Sequence, residues 1–149
     1  MVILVLGASA LAIALLVVLN FIIGGWAPAR LHTPEAAARA LSDGVFGFRC
    51  GDEIGLSVDG RGALVLEAGG DRLGLAYVFG DRITVRALRA GDLKAVRREG
   101  ARLSLELNDY TFPAAQLRFA DAASAQRWEA RALALTPTSS PARGAVRHA

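Results

Sequence analysis

The stretch LGLAYVFGDRITVRA, residues 73–87, determines the class of fold. Its first half places Leu73, Leu75 and Tyr77 at every second position, and its second half alternates apolar with polar residues. A period of two is typical of β-strands, whose side chains point to opposite faces in turn. Gly80-Asp81 separates the halves and favours a tight turn. The stretch therefore predicts a β-hairpin.

The same alternation continues on both sides of this hairpin, with glycine-containing turns between the runs. Seven strands are predicted, at residues 54–58, 63–67, 73–79, 83–87, 92–98, 103–107 and 115–119. Short strands joined by tight turns indicate an antiparallel meander. We expect an α+β fold, mainly β, with a seven-stranded antiparallel barrel or sandwich.

A helix is predicted on each side of the strands. Thr33 can cap the first helix, which begins at Pro34, continues to residue 42 or 43 and is stopped by Gly44. Asp121 can cap the second, whose apolar face recurs at helical spacing. That face consists of Ala125, Trp128, Ala132 and Leu135. The domain is thus expected at residues 34–135, followed by a disordered tail rich in Thr, Ser, Pro and Arg at residues 136–149.

An uncharged segment, Val2–Ile23, precedes the domain. As a helix it would be about 33 Å long, which matches a hydrocarbon core of about 30 Å. A cleaved signal peptide normally has a basic start and a shorter apolar run, and a buried soluble helix rarely lacks charge over such a length. We predict a retained transmembrane helix at residues 1–25 and a linker at 26–33. Trp26 and Arg30 are expected at the membrane interface.

The cations nearest to this segment, Arg30 and Arg39, both follow it. Positive charge tends to remain on the cytoplasmic side, so the domain is expected to be cytoplasmic. The chain is therefore predicted to be a single-pass protein of a bacterial inner (cytoplasmic) membrane.

Seven antiparallel strands and a final amphipathic helix resemble a bacterial membrane-anchored pleckstrin-homology-like (PH-like) domain. The last strand and helix carry the resemblance, through Leu117-Arg118-Phe119-Ala120-Asp121 and then Trp128 and Leu133. The resemblance implies a bent sheet closed at one end by the helix, with an aromatic side chain buried beneath it. Its bacterial members often lie beside transmembrane helices. Lipid-binding members carry basic residues around the first two strands.

The corresponding region here contains Arg61 alone among four acids, Asp52, Glu53, Asp59 and Glu67. This departure argues against specific phosphoinositide binding.

The residue types that usually carry chemistry are sparse. His32 and His148 lack partners at metal-ligand spacing, and one cysteine, Cys50, forms neither an internal disulfide nor a thiolate cage. Asp52-Glu53 would point to opposite faces of an extended chain and make a poor acid–base pair. We therefore predict no enzyme, no metal and no cofactor, and no small-molecule substrate is indicated. Basic stretches interleaved with aromatics are absent from the sequence, so nucleic-acid binding is not expected.

Charge is unevenly distributed along the domain. Residues 43–71 contain six acids and two cations, whereas residues 86–102 contain six cations and two acids. If the fold gathers the second set on one side, it could contact anionic lipid headgroups. These cations are Arg86, Arg89, Lys94, Arg97, Arg98 and Arg102. The alternative, which we favour, is that they lie on solvated strand faces of an arginine-rich protein.

The sequence therefore predicts a membrane-tethered interaction module that binds a protein partner or an anionic lipid surface. The alternative is a structural accessory subunit of a larger membrane complex that acts through its transmembrane helix.

Overall fold

The computed structural model describes residues 1–23 and 29–136, and the predictions for Trp26 and for residues 137–149 of the tail lie outside them. The described residues form three helices: α1 (Val2–Ile23), α2 (Pro34–Gly44) and α3 (Ala122–Leu133). They also form seven strands: β1 (Cys50–Leu56), β2 (Gly62–Glu67), β3 (Leu73–Phe79), β4 (Arg82–Leu88), β5 (Leu93–Glu99), β6 (Arg102–Leu107) and β7 (Ala114–Arg118). The predicted α+β class and the seven antiparallel strands are confirmed.

The strands form two antiparallel sheets, in the orders β1-β2-β3-β4 and β5-β6-β7. Strand pairing within the described residues leaves the sheets separate, so the barrel alternative of the prediction is not observed. The expected hairpin is present: Phe79 pairs with Arg82 and leaves Gly80-Asp81 as a two-residue turn. Gly80 has a φ of 60°, which glycine adopts readily and which is unfavourable for residues that have a side chain.

One core lies between the two sheets, where leucines from both are fully buried. They include Leu64, Leu75, Leu103, Leu105 and Leu117. Helix α3 packs on this core through Ala125, Trp128 and Ala132, as its helical spacing predicted. Trp128 covers β1 at Gly55, where a β-carbon would overlap the indole ring. The glycine at position 55 is therefore required by packing.

A second core lies on the opposite face of the four-stranded sheet. Helix α2 buries Ala37 and Leu41 there, against Val65 of β2 and Ala76 of β3. Both faces of this sheet are thus covered, which explains why β2 and β3 are apolar at successive positions rather than at alternate ones.

Both predicted helix caps are confirmed by hydrogen bonds. The Thr33 hydroxyl oxygen accepts from the Ala36 amide (3.2 Å), and the Asp121 carboxylate accepts from the Ser124 amide (2.6 Å). These bonds satisfy amide groups that the first helical turn leaves unpaired. Local sequence signals therefore determine where helices α2 and α3 begin.

Strand β1 was predicted with the wrong bounds. It begins at Cys50 rather than at residue 54, and a register shift separates the pair Cys50–Glu67 from the pair Ile54–Val65. An irregularity of this kind interrupts the alternation on which the prediction relied. The strand also ends at Leu56, so Val58 lies in the following turn and is exposed.

The end of α3 also differs from the expectation. The helix stops at Leu133, which is 49% exposed, and Leu135 packs against the core from beyond the helix. The bounds of strands β2, β4, β5, β6 and β7 each differ from the predicted bounds by one residue at one or both ends. Such shifts are expected at element ends, where pairing is weakest.

Helix α1 is long and apolar enough to cross a membrane. Its Val5–Ile23 segment has a mean hydropathy of 2.6, and none of the segment is buried in the protein. Within the described residues, the apolar side chains of α1 therefore pack against no other part of the protein.

Candidate interaction surface

The six cations considered as possible contacts for anionic lipid do not form a single cluster. Three of them lie in ion pairs with acids on neighbouring elements. Arg86 Nε lies 2.9 Å from Asp109. Arg98 Nε lies 2.7 Å from Glu129 of α3, and Arg97 lies 3.7 Å from Glu106. These guanidinium groups are engaged by the fold itself.

The other three, Arg89, Lys94 and Arg102, are exposed and form no ion pair with another described residue. Arg89 precedes β5, whereas Arg102 begins β6 opposite Glu99 at the far end of β5. A seven-residue strand spans about 20 Å, so these two cations are separated by roughly that length. The geometry therefore supports solvated cations along a strand better than a compact anion site.

A more continuous feature is the outer edge of β4, the last strand of the four-stranded sheet. The Val78 amide donates to the Arg61 carbonyl oxygen (2.8 Å), so Val78 points its backbone towards β2. Its neighbours Tyr77 and Phe79 then point towards β4 and pair with Thr84 and Arg82. It follows that the intervening residues of β4 direct their amide and carbonyl groups outward. These are Ile83, Val85 and Ala87.

Two cavities flank this edge and share Arg86, Ala87 and Asp92 among their lining residues. The larger, of about 520 Å³, lies between β4 and the segment that follows α2. The smaller, of about 190 Å³, lies between β4 and the segment that follows β6. Phe46 lines the larger cavity and is wholly exposed. An exposed strand edge with a groove on each side is a surface that an extended segment can occupy.

The β6–β7 loop, residues 108–113, forms one wall and is held by Asp109. Its carboxylate accepts from the Thr111 amide (2.8 Å), the Thr111 hydroxyl (2.6 Å) and Arg86 Nε (2.9 Å). The Thr111 hydroxyl, then the Arg86 guanidinium and the Thr111 amide, hold the pKa of Asp109 far below its usual range. The carboxylate is therefore ionised at neutral pH and ties the loop to Arg86 of β4.

Aromatic side chains fix the same loop from below. Phe112 is buried against Tyr77 and Phe79, with ring centroids 5.6 and 5.2 Å apart, respectively. Tyr110, between the Asp109 anchor and Phe112, is wholly exposed. The loop thus presents one aromatic ring to solvent from a rigid support. Exposed tyrosine and phenylalanine are common at protein–protein contacts, because each buries a large area at a low entropic cost.

Arg86 has a second role at this surface. Its Nη1 donates to the carbonyl oxygen of Val85 (3.0 Å), one of the outward groups of the β4 edge. A charged side chain over an edge strand hinders non-specific pairing with other strands. A segment that pairs with the whole edge must therefore displace this guanidinium.

Cys50, Asp52, Glu53 and His32 lie apart from the β4 edge in the described residues. The Cys50 thiol donates to the Ala38 carbonyl oxygen (3.3 Å) and contacts Ser42, which joins β1 to α2. The carboxylates of Asp52 and Glu53 are not gathered with other ligand types: within residues 1–23 and 29–136, no group of three or more His, Cys, Asp or Glu side chains could hold a metal ion. His32 is exposed beside Gly60.

Three polar interactions escaped prediction from the sequence. Glu67 pairs with Arg72 across the β2–β3 turn, and Arg72 also lies over the Phe48 ring, 5.5 Å from its centroid. The hydroxyl of buried Ser57 accepts from the Arg118 amide (2.9 Å), which joins the two sheets at one corner. Arg86 and Asp109 are 23 positions apart. Only the first pair, five residues apart around a turn, left a local signal.

Residues 29–32, which precede α2, pack onto the domain. Leu31 is fully buried in the α2 core, and its amide donates to the Gly60 carbonyl oxygen (2.8 Å). Arg30, predicted at the membrane interface, is exposed and donates through Nη1 to the Asp59 carbonyl oxygen (3.0 Å). Residues 29–32 of the predicted linker are thus attached to the β1–β2 turn.

Comparison with known proteins gives no match to any family model, curated protein or solved structure.

Proposed function

We propose that this chain is a single-pass protein of a bacterial inner membrane that presents a non-catalytic, PH-like module on the cytoplasmic side, where the β4 edge binds an extended segment of a protein partner. The β4 edge consists of the outward backbone groups of β4, its two flanking cavities, and the exposed rings of Phe46 and Tyr110.

The proposal of a membrane tether rests on the exposure of α1. The domain completes two cores without using any residue of this helix, and the Val5–Ile23 segment remains wholly unburied. Transfer of one valine, leucine, isoleucine or phenylalanine side chain out of water is favourable by about 1.5–3 kcal/mol. A helix of this length and composition is therefore stable in a bilayer and not in solution.

The PH-like assignment is supported by the order of elements. Four strands form one sheet, three form the next, and a helix with a buried tryptophan follows. The assignment rests on this arrangement alone.

The ion pairs formed by the cations of residues 86–102 favour a protein partner over an anionic lipid surface. Three of the six cations of residues 86–102 are paired with acids of this chain, whereas the β4 edge has outward backbone groups without a strand partner among the described residues, and two exposed aromatic rings. Backbone pairing supplies affinity in such contacts, and the flanking pockets supply selectivity.

Photocrosslinking in native membranes tests this proposal. A photoreactive phenylalanine replaces Phe46 or Tyr110 in the full-length chain, and Gln126, exposed on α3, provides the matched control. We expect both edge positions to crosslink to the same protein and position 126 not to do so. Crosslinking at 46 and 110 no greater than at 126 would refute a partner at this edge.

The accessory-subunit alternative makes a different prediction for the same experiment. Replacing residues 2–23 with an unrelated transmembrane helix should leave the crosslinks at positions 46 and 110 unchanged if the domain selects the partner. Loss of both crosslinks, with the protein still in the membrane, would favour a helix that selects the complex.

A further inference from the structure

Three apolar side chains are exposed together at one end of the four-stranded sheet. Val58 is 58% exposed, Phe79 51% and Ile83 38%. Val58 lies in the β1–β2 turn, and the other two flank the β3–β4 turn. All three side chains are therefore found at the same end of the four-stranded sheet.

The two turns are neighbours in space. Strands β2 and β3 pair from Gly62–Tyr77 onward, and the Val78 amide donates to the Arg61 carbonyl oxygen (2.8 Å) at their common end. The backbone here is held firmly, since Phe79 packs on Phe112 with ring centroids 5.2 Å apart. Ile83 pairs with Val78, so it lies on the opposite face of the sheet from Phe79. The three apolar side chains therefore surround this end of the sheet, which we call the turn end.

The chain from the membrane helix arrives at this same end. Leu31 binds the Gly60 carbonyl and is buried, and Arg30 binds the Asp59 carbonyl. Asp59 and Gly60 belong to the turn that carries Val58. The attachment point of the tether and the exposed apolar side chains are consequently on one side of the domain.

The tether is short compared with the domain. Seven peptide steps join Ile23 to Arg30, and a fully extended chain of that length reaches about 25 Å. A domain of this size has a diameter of roughly 35 Å. The β2–β3 turn lies about 20 Å beyond the turn end, at the other end of β2. The turn end is therefore the part of the sheet that the tether keeps nearest to the bilayer.

We infer that the turn end contacts the headgroup region of the membrane that α1 crosses, with Val58, Phe79 and Ile83 entering the interface. This rests on α1 being a membrane anchor. Partial burial of apolar side chains in the interface offsets their exposure to water. Each of these turns also carries one exposed cation (Arg61, Arg82) beside one exposed acid (Asp59, Asp81), so charge does not favour the contact and the apolar side chains account for it. The β4 edge then runs away from the membrane.

Depth-dependent fluorescence quenching tests this orientation in the full-length protein. Cys50→Ser removes the one native cysteine, and single cysteines are then introduced for an environment-sensitive label. The labels replace Val58, Ile83, Ala68 of the β2–β3 turn, or Ser9 of α1. The protein is placed in vesicles of phosphatidylcholine and phosphatidylglycerol that contain doxyl-labelled lipid.

We expect labels at positions 58 and 83 to be quenched at least twofold more strongly than the label at 68, and the label at 9 to be quenched strongly. Quenching at 58 and 83 equal to that at 68, with position 9 quenched, would overturn the inference and leave the anchor standing. An unquenched label at position 9 would overturn the anchor and the inference together.

A charge variant separates contact from mere proximity. With the label at Arg61→Cys, the double variant Val58→Asp and Ile83→Asp should lower quenching at least twofold, because carboxylates disfavour the interface. The matched control introduces aspartate at Ala68 and Ala90, both exposed at the far end of the sheet, and should leave quenching unchanged. Equal quenching in the two double variants would show that the apolar side chains make no contact.

Discussion

Leu31 lies only eight residues beyond the apolar helix α1, yet its side chain is fully buried in the α2 core. Leu31→Ala removes three carbon atoms from this site, and such truncations in packed cores cost about 2–5 kcal/mol. The Leu31 amide would keep its bond to Gly60, so the loss arises from packing. For a domain of this size, about 3 kcal/mol corresponds to a fall in Tm of roughly 10–25 °C.

Thermal unfolding of the full-length protein in mild detergent, followed by tryptophan fluorescence, measures this change. Leu133→Ala is the matched control, because Leu133 is 49% exposed and its truncation should cost less than about 1 kcal/mol. A Leu31→Ala protein as stable as the Leu133→Ala protein would refute the packed attachment. It would also remove the geometric basis for the orientation at the membrane.

Three other perturbations test separate parts of the fold. Gly55→Ala should destabilise the domain by about 1–3 kcal/mol in denaturant unfolding, because the new methyl overlaps the Trp128 indole, and an unchanged midpoint would contradict that packing. Hydrogen bonds from Arg72 lower the pKa of Glu67, so the ion pair should stabilise the protein at neutral pH and lose this effect as pH falls below the usual glutamate pKa. The Tm difference between wild type and Glu67→Gln should therefore shrink from pH 7 to pH 3, and a constant difference would exclude the ion pair as its cause. Asp109→Asn should accelerate hydrogen exchange in the β6–β7 loop, and unchanged exchange would show that the loop is held by its aromatic contacts alone.

Local patterns in the sequence predicted the strands well, for physical reasons visible in particular elements. The hairpin at residues 73–87 followed from alternation and from Gly80, and the caps at Thr33 and Asp121 followed from their side-chain types. These features depend on neighbours within a few positions. Strand β1 was less predictable, because its irregular pairing near Cys50 interrupts the alternation.

The candidate surface could not be predicted, because it depends on residues distant in the chain. Asp109 meets Arg86 only after the two sheets have packed together, and Leu31 meets Gly60 only after α2 has covered its sheet. The cations along residues 86–102 left two interpretations open, an anionic-lipid patch and solvated strand faces, of which the second was favoured. Their acidic partners Glu106 and Glu129 come from other elements, which the linear sequence does not bring near.

If α1 anchors the protein in a bilayer, as proposed, the bond from Arg86 to the Val85 carbonyl affects how neighbouring copies meet. Neighbouring copies anchored in a bilayer meet at high local density and with similar orientation. Under these conditions, exposed edge strands tend to pair with one another. A single guanidinium, held in place by Asp109, makes such self-pairing costly. Crowded copies would then remain separate until a ligand that can compete for Arg86 arrives.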